Sequence, residues 1–195
     1  MDFENLLQIL VTAIVQGITE FLPISSSGHL IFINQLFSWE DINLTLIVAA
    51  HLGTLFAVVN YFWEDCKKYF LLGPLEIFSK KKTFNFNLFL NLFYSSIPII
   101  IFGGFLKFYK INYIYHSSLI ACSAIIFSLL LFFSDKNKTK KKLNDISFKD
   151  ALIIGIFQIF ALIPGSSRAG VCITAARFLG FDRICAAKYS MYLSI

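Results

Sequence analysis

Long apolar runs separated by short basic loops set the pattern of this chain. Three runs contain no Asp, Glu, Lys or Arg: "NLTLIVAAHLGTLFAVVNYFW" (43–63), "FNFNLFLNLFYSSIPIIIFGGFL" (84–106) and "SSLIACSAIIFSLLLFFS" (117–134). At about 1.5 Å per helical residue, each is about long enough to cross ~30 Å of hydrocarbon. Pro98, with Gly103 and Gly104, is expected to interrupt the second run, a break that membrane helices tolerate.

Two further apolar segments are broken in the middle. Residues 5–37 are interrupted at Pro23 and "SSSG", and residues 151–181 at "IPGSSRAG". Each break leaves two pieces too short to span, the length expected of re-entrant segments. "LVTAIVQGITEFLPISSSGHL" can be laid on "ALIIGIFQIFALIPGSSRAGV" with one gap. Gln16 then falls on Gln158, Pro23 on Pro164, Ser25 and Ser26 on Ser166 and Ser167, and Ser27 on Arg168. Interrupted segments in corresponding halves point to a site near the membrane midplane, between inverted repeats. The expected fold is an all-α integral membrane protein, a helix bundle with two re-entrant hairpins related by an inverted repeat. Residues 1–195 form one membrane domain. The first repeat covers about 1–106 and the second about 117–195.

Composition agrees with this pattern. The chain is 57% hydrophobic and 15% charged, against about 25% charged in a soluble domain, and its mean hydropathy is +0.70. The net charge of +5 does not indicate nucleic-acid binding, because 11 of the 17 Lys and Arg lie in residues 64–83 and 135–149. Such loops read as cytoplasmic. The link from Lys107 to His116 and the stretch "SWEDIN" (38–43) then face outward, and the two hairpins enter from opposite faces. The N-terminus has no basic residue before its apolar run, and no cleavable signal peptide is expected. Cys66, Cys122, Cys172 and Cys185 have no metal-binding spacing and read as buried small apolar residues.

Against this background the ionisable residues stand out. Glu20 is the one Asp, Glu, Lys or Arg between Leu6 and Trp39, and Arg168 and Arg177 are the only ones between Ala151 and Phe181. A charge in such surroundings costs at least ~2.5–3.5 kcal/mol and is functional by default. If the two breaks meet, Glu20 meets Arg168. Unwound backbone and helix N-termini bind anions, serine hydroxyls add donors, and a guanidinium fork suits phosphate oxygens. Glu20 could act as a base or hold a divalent cation, and His29 could carry a proton or attack phosphorus. A phosphate or diphosphate satisfies these groups together. Blander readings compete. Ser25 to Ser27 with Gly28 also read as a turn with a helix cap. Gln16 and Gln158 also read as interhelical hydrogen-bond partners. His51 reads as a packed histidine with one hydrogen bond, at most at the margin of the site. Arg177 reads as a residue that snorkels to an interface.

At these residues the chain resembles the bacterial undecaprenyl-diphosphate phosphatases of the bacitracin-resistance type. The resemblance rests on Gln16 and Glu20 in a [Glu/Gln]-x-x-x-Glu motif, on "PISSSGH", and on "PGSSRAGVC" against Pro-Gly-x-Ser-Arg-Ser-x-x-Thr. It runs from about Leu6 to the C-terminus. It implies hydrolysis of undecaprenyl diphosphate to the monophosphate, which recycles the lipid carrier of peptidoglycan. It also implies a divalent cation (Mg2+ or Ca2+) and a place in the inner membrane, with the site open to the outer face. Carried over, Glu20, Ser26, His29 and Arg168 are the catalytic positions, with Glu20 also the metal position. Gln16, Ser25, Ser27, Gly165, Ser166 and Ser167 surround the phosphates. The partners are a polyprenyl diphosphate and the bilayer, and a homodimer is compatible with the sequence. Ala169 and Cys172 stand where the pattern has hydroxyls, and Gln16 removes a second carboxylate, so lower activity or an altered metal affinity is expected. The pattern also implies about two spans beyond Ile195. A lipid-phosphate flippase or transporter using the same site without hydrolysis is the competing reading, since broken helices and inverted repeats are also transporter architecture. A remnant made inactive by the missing spans is a third.

Overall fold

The computed structural model describes residues 3–39, 44–78, 83–109, 116–138 and 141–195. Within these residues regular structure is helical, apart from one bridge between Lys141 and Phe181. The helices are α1 (Phe3–Thr19), α2 (Ser26–Phe37), α3 (Leu44–Tyr61), α4 (Trp63–Cys66), α5 (Gly73–Leu75), α6 (Phe84–Phe108), α7 (Ser117–Asp135), α8 (Phe148–Gln158), α9 (Arg168–Phe178) and α10 (Arg183–Tyr192).

The helices α6 and α7 are each long and apolar enough to cross a membrane. With α3 the count reaches three, if α3 and the helical stretch Trp63–Phe78, bent from it by 84°, are taken as one span. The first basic-loop segment (64–83) is therefore not a plain loop on its first side: α4 passes through a π-helical stretch, Lys67–Leu72, into α5. Most of residue range 38–43, the outward link and the tips of both lysine loops lie outside the described residues.

Pro98 does not interrupt its helix. The 25 residues of α6 run through it without a break, because neighbouring groups can take over the freed backbone bond of a membrane helix.

The two broken segments fold as expected. Helix α1 packs on α2, and α8 on α9, so each segment turns back on itself. Ser25 caps α2, its Oγ accepting from Gly28 N at 3.2 Å; Ser167 caps α9, its Oγ accepting from Gly170 N at 3.2 Å. These caps align Ser25 with Ser167 and Ser26 with Arg168, one residue away from the overlay made on sequence. Gln16 to Ser25 and Gln158 to Ser167 are equally long, so the caps align the two segments without the gap of the sequence overlay; the 3-10 turn Ile159–Leu162 replaces the last turn of α1 rather than adding to it.

Polarity is arranged inside out relative to a soluble bundle. Gln16, Thr12, Ser95, Gln158 and Thr174 are buried, while Phe32, Leu36, Phe56, Ile100 and Ile101 are exposed. Lipid solvates the outer apolar side chains, and hydrogen bonds between helices tie the interior. Ser95 Oγ donates to Ala151 O at 2.7 Å and accepts from Tyr189 OH at 2.7 Å. Gly155 lets α8 close on α6 there, since a Cβ would strike the Ser95 backbone. At the basic end, Arg177 is buried, pairs with Asp135 at 3.1 Å and donates to Phe181 O and Asp135 O at 2.9 and 2.8 Å. Arg177 is thus a lock between α7 and α9, not a snorkelling surface residue.

Candidate active site

The two breaks touch. Ser167 Oγ reaches Leu22 O at 3.4 Å, and Gly170 sits close under the Pro23 carbonyl, where a Cβ would stand only 3.2 Å from the oxygen. The second break is also wedged against α7. Gly165 has φ +94°, and a Cβ there would collide with Ser123 Oγ and Ile120 O. Ser123 Oγ donates to Pro164 O in the same contact. Glycine at 165 therefore sets where Ser167 and Arg168 stand.

Glu20 is the hub. Its Oε2 accepts from Gln16 Nε2 at 2.8 Å and from Ser26 Oγ at 2.9 Å. Arg168 NH2 lies 3.7 Å from Oε1. Arg168 NH1 is held by Leu193 O at 3.2 Å, so the guanidinium is braced from α10 while it faces the acid. The carboxylate and guanidinium expected at equivalent breaks do meet. They do so at the wall of a cavity of about 330 Å³ that also contains His51, Ser190 and Ser194.

The remaining predicted residues divide. Ser25 and Ser27 join hydroxyls at 3.1 Å. His29 Nδ1 donates to Ser25 O at 2.6 Å, since a carbonyl can only accept; the lone pair of the neutral ring is then on Nε2. His29 lines a second, larger cavity of about 730 Å³, with Ser25, Gly165 and Ser167, and not the cavity of Glu20 and Arg168. Ser166 is buried, and its Oγ is shared between Phe160 O and Ile163 O, both at 2.7 Å, inside its own turn.

Of the two motif departures, Ala169 is on the Glu20 cavity wall, whereas Cys172 is buried in the core. Thr174, close by, returns its hydroxyl to Gly170 O of its own helix at 2.7 Å. Ser190 and Ser194 were not anticipated; their spacing of four residues in "SMYLS" was the available signal, since it puts both on one helix face. His51 has the one hydrogen bond expected of it and stands at the margin of the site. Its Nδ1 is bonded to Ile47 O at 2.9 Å and its Nε2 is 3.7 Å from Glu20 Oε2.

The family described as "Bacitracin resistance protein BacA" matches residues 9–195. An undecaprenyl-diphosphatase of Jannaschia sp. (strain CCS1) is 44% identical over 196 residues, covering 98% of this chain and 72% of that protein. Those of Saccharophagus degradans and Ruegeria sp. (strain TM1040) are 42% and 40% identical, over 98% and 97% of this chain and 72% of each relative. A family match over nearly the whole chain, on the residues that form the Glu20–Arg168 contact, places this chain in the bacitracin resistance protein BacA family.

Proposed function

We propose that the chain hydrolyses undecaprenyl diphosphate to undecaprenyl phosphate and inorganic phosphate, and so returns the lipid carrier to peptidoglycan synthesis and confers bacitracin resistance. The observation that carries this reading is the Ser26–Glu20–Arg168 set at the meeting of two broken helices. Glu20 Oε2 is placed to take the Ser26 proton as Ser26 Oγ attacks the terminal phosphorus. The bond from that phosphorus to the bridging oxygen breaks, and the lipid monophosphate leaves with the electron pair. Water then cleaves the phosphoserine. Arg168, braced by Leu193 O, neutralises the phosphoryl oxygens, the main demand of such a transition state. A flippase needs the cationic residue and the hydroxyls but not an acid–base pair, so the Ser26–Glu20 bond favours hydrolysis.

A divalent cation fits the donors present. Glu20 would hold it, and the buried Gln16 Oε1 beside it has no hydrogen-bond partner. When bound, such an ion would offset the charge of the diphosphate oxygens.

The reading places the site toward the outer face of the bacterial inner membrane. The second break abuts Ile120 and Ser123, about 5 and 9 Å from the α7 start at Ser117, by the rise of a helix. The lysines near Asp135, expected in the cytoplasm, are at the other end. A cysteine at Asn137, in a chain whose own cysteines are replaced, should resist an impermeant reagent added outside; labelling there would reverse the orientation.

The function is tested by phosphate release from farnesyl and undecaprenyl diphosphates in detergent, with Mg2+, Ca2+ or Mn2+. Wild type should turn over, and Glu20→Ala, Ser26→Ala and Arg168→Ala should each lose at least about 100-fold. Lipid binding without phosphate release under any cation would sink the enzymatic reading.

A further inference from the structure

His51 is an intramembrane residue whose placement the reaction above does not use. Its ring is oriented by one bond, Nδ1–H to the Ile47 carbonyl at 2.9 Å. That bond leaves Nε2 as the ring atom that faces the site. Nε2 stands 3.7 Å from Glu20 Oε2.

We infer that His51, through Nε2, is a second protein ligand of the divalent cation held by Glu20. This rests on the phosphatase reading and its cation. Three observations converge. Metal-binding histidines typically donate their other ring N–H to a backbone carbonyl or carboxylate, as His51 does to Ile47. Two donors about 2.1 Å from one ion stand about 3–4 Å apart, which the Oε2–Nε2 separation meets. Finally, Arg168 and His51 approach different oxygens of the acid: Arg168 NH2 lies 3.7 Å from Oε1, while His51 approaches Oε2. Oε2 also accepts from Gln16 and Ser26; a cation there takes the place of the Gln16 hydrogen and leaves the Ser26 bond in place. The rest of the coordination shell falls to diphosphate oxygens and water, as for ions held by only one or two protein ligands.

The inference gives position 16 a meaning. With Gln16 the helix carries one carboxylate at this point, and an imidazole from α3 supplies the second ligand. Nitrogen in the set shifts preference from Mg2+ and Ca2+ toward the later first-row divalent ions, with Mn2+ the paramagnetic probe.

The test uses Mn2+ alone with the full purified chain, freed of any polyhistidine tag. The chain has three histidines, so each can be replaced in turn. Pulsed electron paramagnetic resonance of bound Mn2+ should show imidazole nitrogen coupling. His51→Leu should abolish that coupling and weaken Mn2+ binding about 10-fold or more; His116→Leu and His29→Leu should leave the coupling in place. His51→Gln, which keeps a ligating oxygen, should recover part of the affinity without the imidazole signal, and separates loss of a ligand from loss of fold. No imidazole coupling in wild type, or coupling that survives His51→Leu, overturns the inference. Phosphate release measured on the same samples keeps the two readings apart: a wild type that turns over without imidazole coupling refutes only His51, whereas no turnover with any cation refutes the phosphatase.

Discussion

Gly165→Ala tests how the second break is positioned. Gly165 and Gly180 have nearly the same backbone, φ +94° and +93°, but different surroundings. A Cβ on Gly180 meets nothing within 4 Å, whereas one on Gly165 strikes Ser123 Oγ and the Ile120 backbone. Gly180→Ala therefore measures the conformational cost alone, about 1–2 kcal/mol. Gly165→Ala adds overpacking of about 1–3 kcal/mol and, through displaced Ser123, about 1 kcal/mol for its bond to the Pro164 carbonyl. The difference between the two variants should be about 2–4 kcal/mol in thermal or denaturant unfolding of the detergent-solubilised protein. Activity should separate them further. Shifting the break moves Ser167 and Arg168, and a misplacement near 1 Å costs about 100-fold in rate, while Gly180→Ala should keep near-normal turnover. Ser123→Gly in the Gly165→Ala background should recover only part of the loss, because the Ile120 carbonyl remains. Equal stability of the two alanine variants, with activity kept in both, would refute the claim that the α7 contact sets the break.

Other outcomes follow from single contacts. Arg168→Lys cannot hold Leu193 O and face Glu20 with two nitrogens at once, and phosphate release should fall at least 10-fold although the positive charge is kept. Arg177→Met should cost on the order of 3 kcal/mol in unfolding measurements, since it strips a buried cation from Asp135 and from two carbonyls. Burial opposes the charge of Asp150, but the backbone N–H and hydroxyl of Ser147 and the Lys141 ammonium outweigh it and hold the carboxyl below the usual carboxylate range. A lowered pKa adds stability that is complete above about pH 3.9 and lost as pH falls through the folded-state value. Asp150→Asn should therefore be less stable than wild type at pH 7, and the gap should close below about pH 4.

The sequence by itself determined the elements and the chemistry of this protein. Three charge-free runs could only satisfy their backbones in lipid as helices, and they coincide with α3, α6 and α7. Pro23 and Pro164, each beside serine and glycine, had to break their segments, and an isolated Glu20 in that setting marked the site. What composition could not carry was which groups meet. Hydroxyls of one kind received three fates: Ser26 bonds Glu20, Ser25 caps a helix, and Ser166 is used inside its turn. His51 is 31 residues from Glu20 and belongs to another helix, so no local pattern joined them; packing of α3 on α1 did. The register between the breaks, Ser26 opposite Arg168, was likewise decided by cap geometry. Pro98 went the other way, since a rule that ends helices in water yields when neighbouring helices supply the missing bonds. Local pattern fixes where a chain must be helical and where it must break, and close packing between elements distant in sequence decides which polar atoms share a cavity.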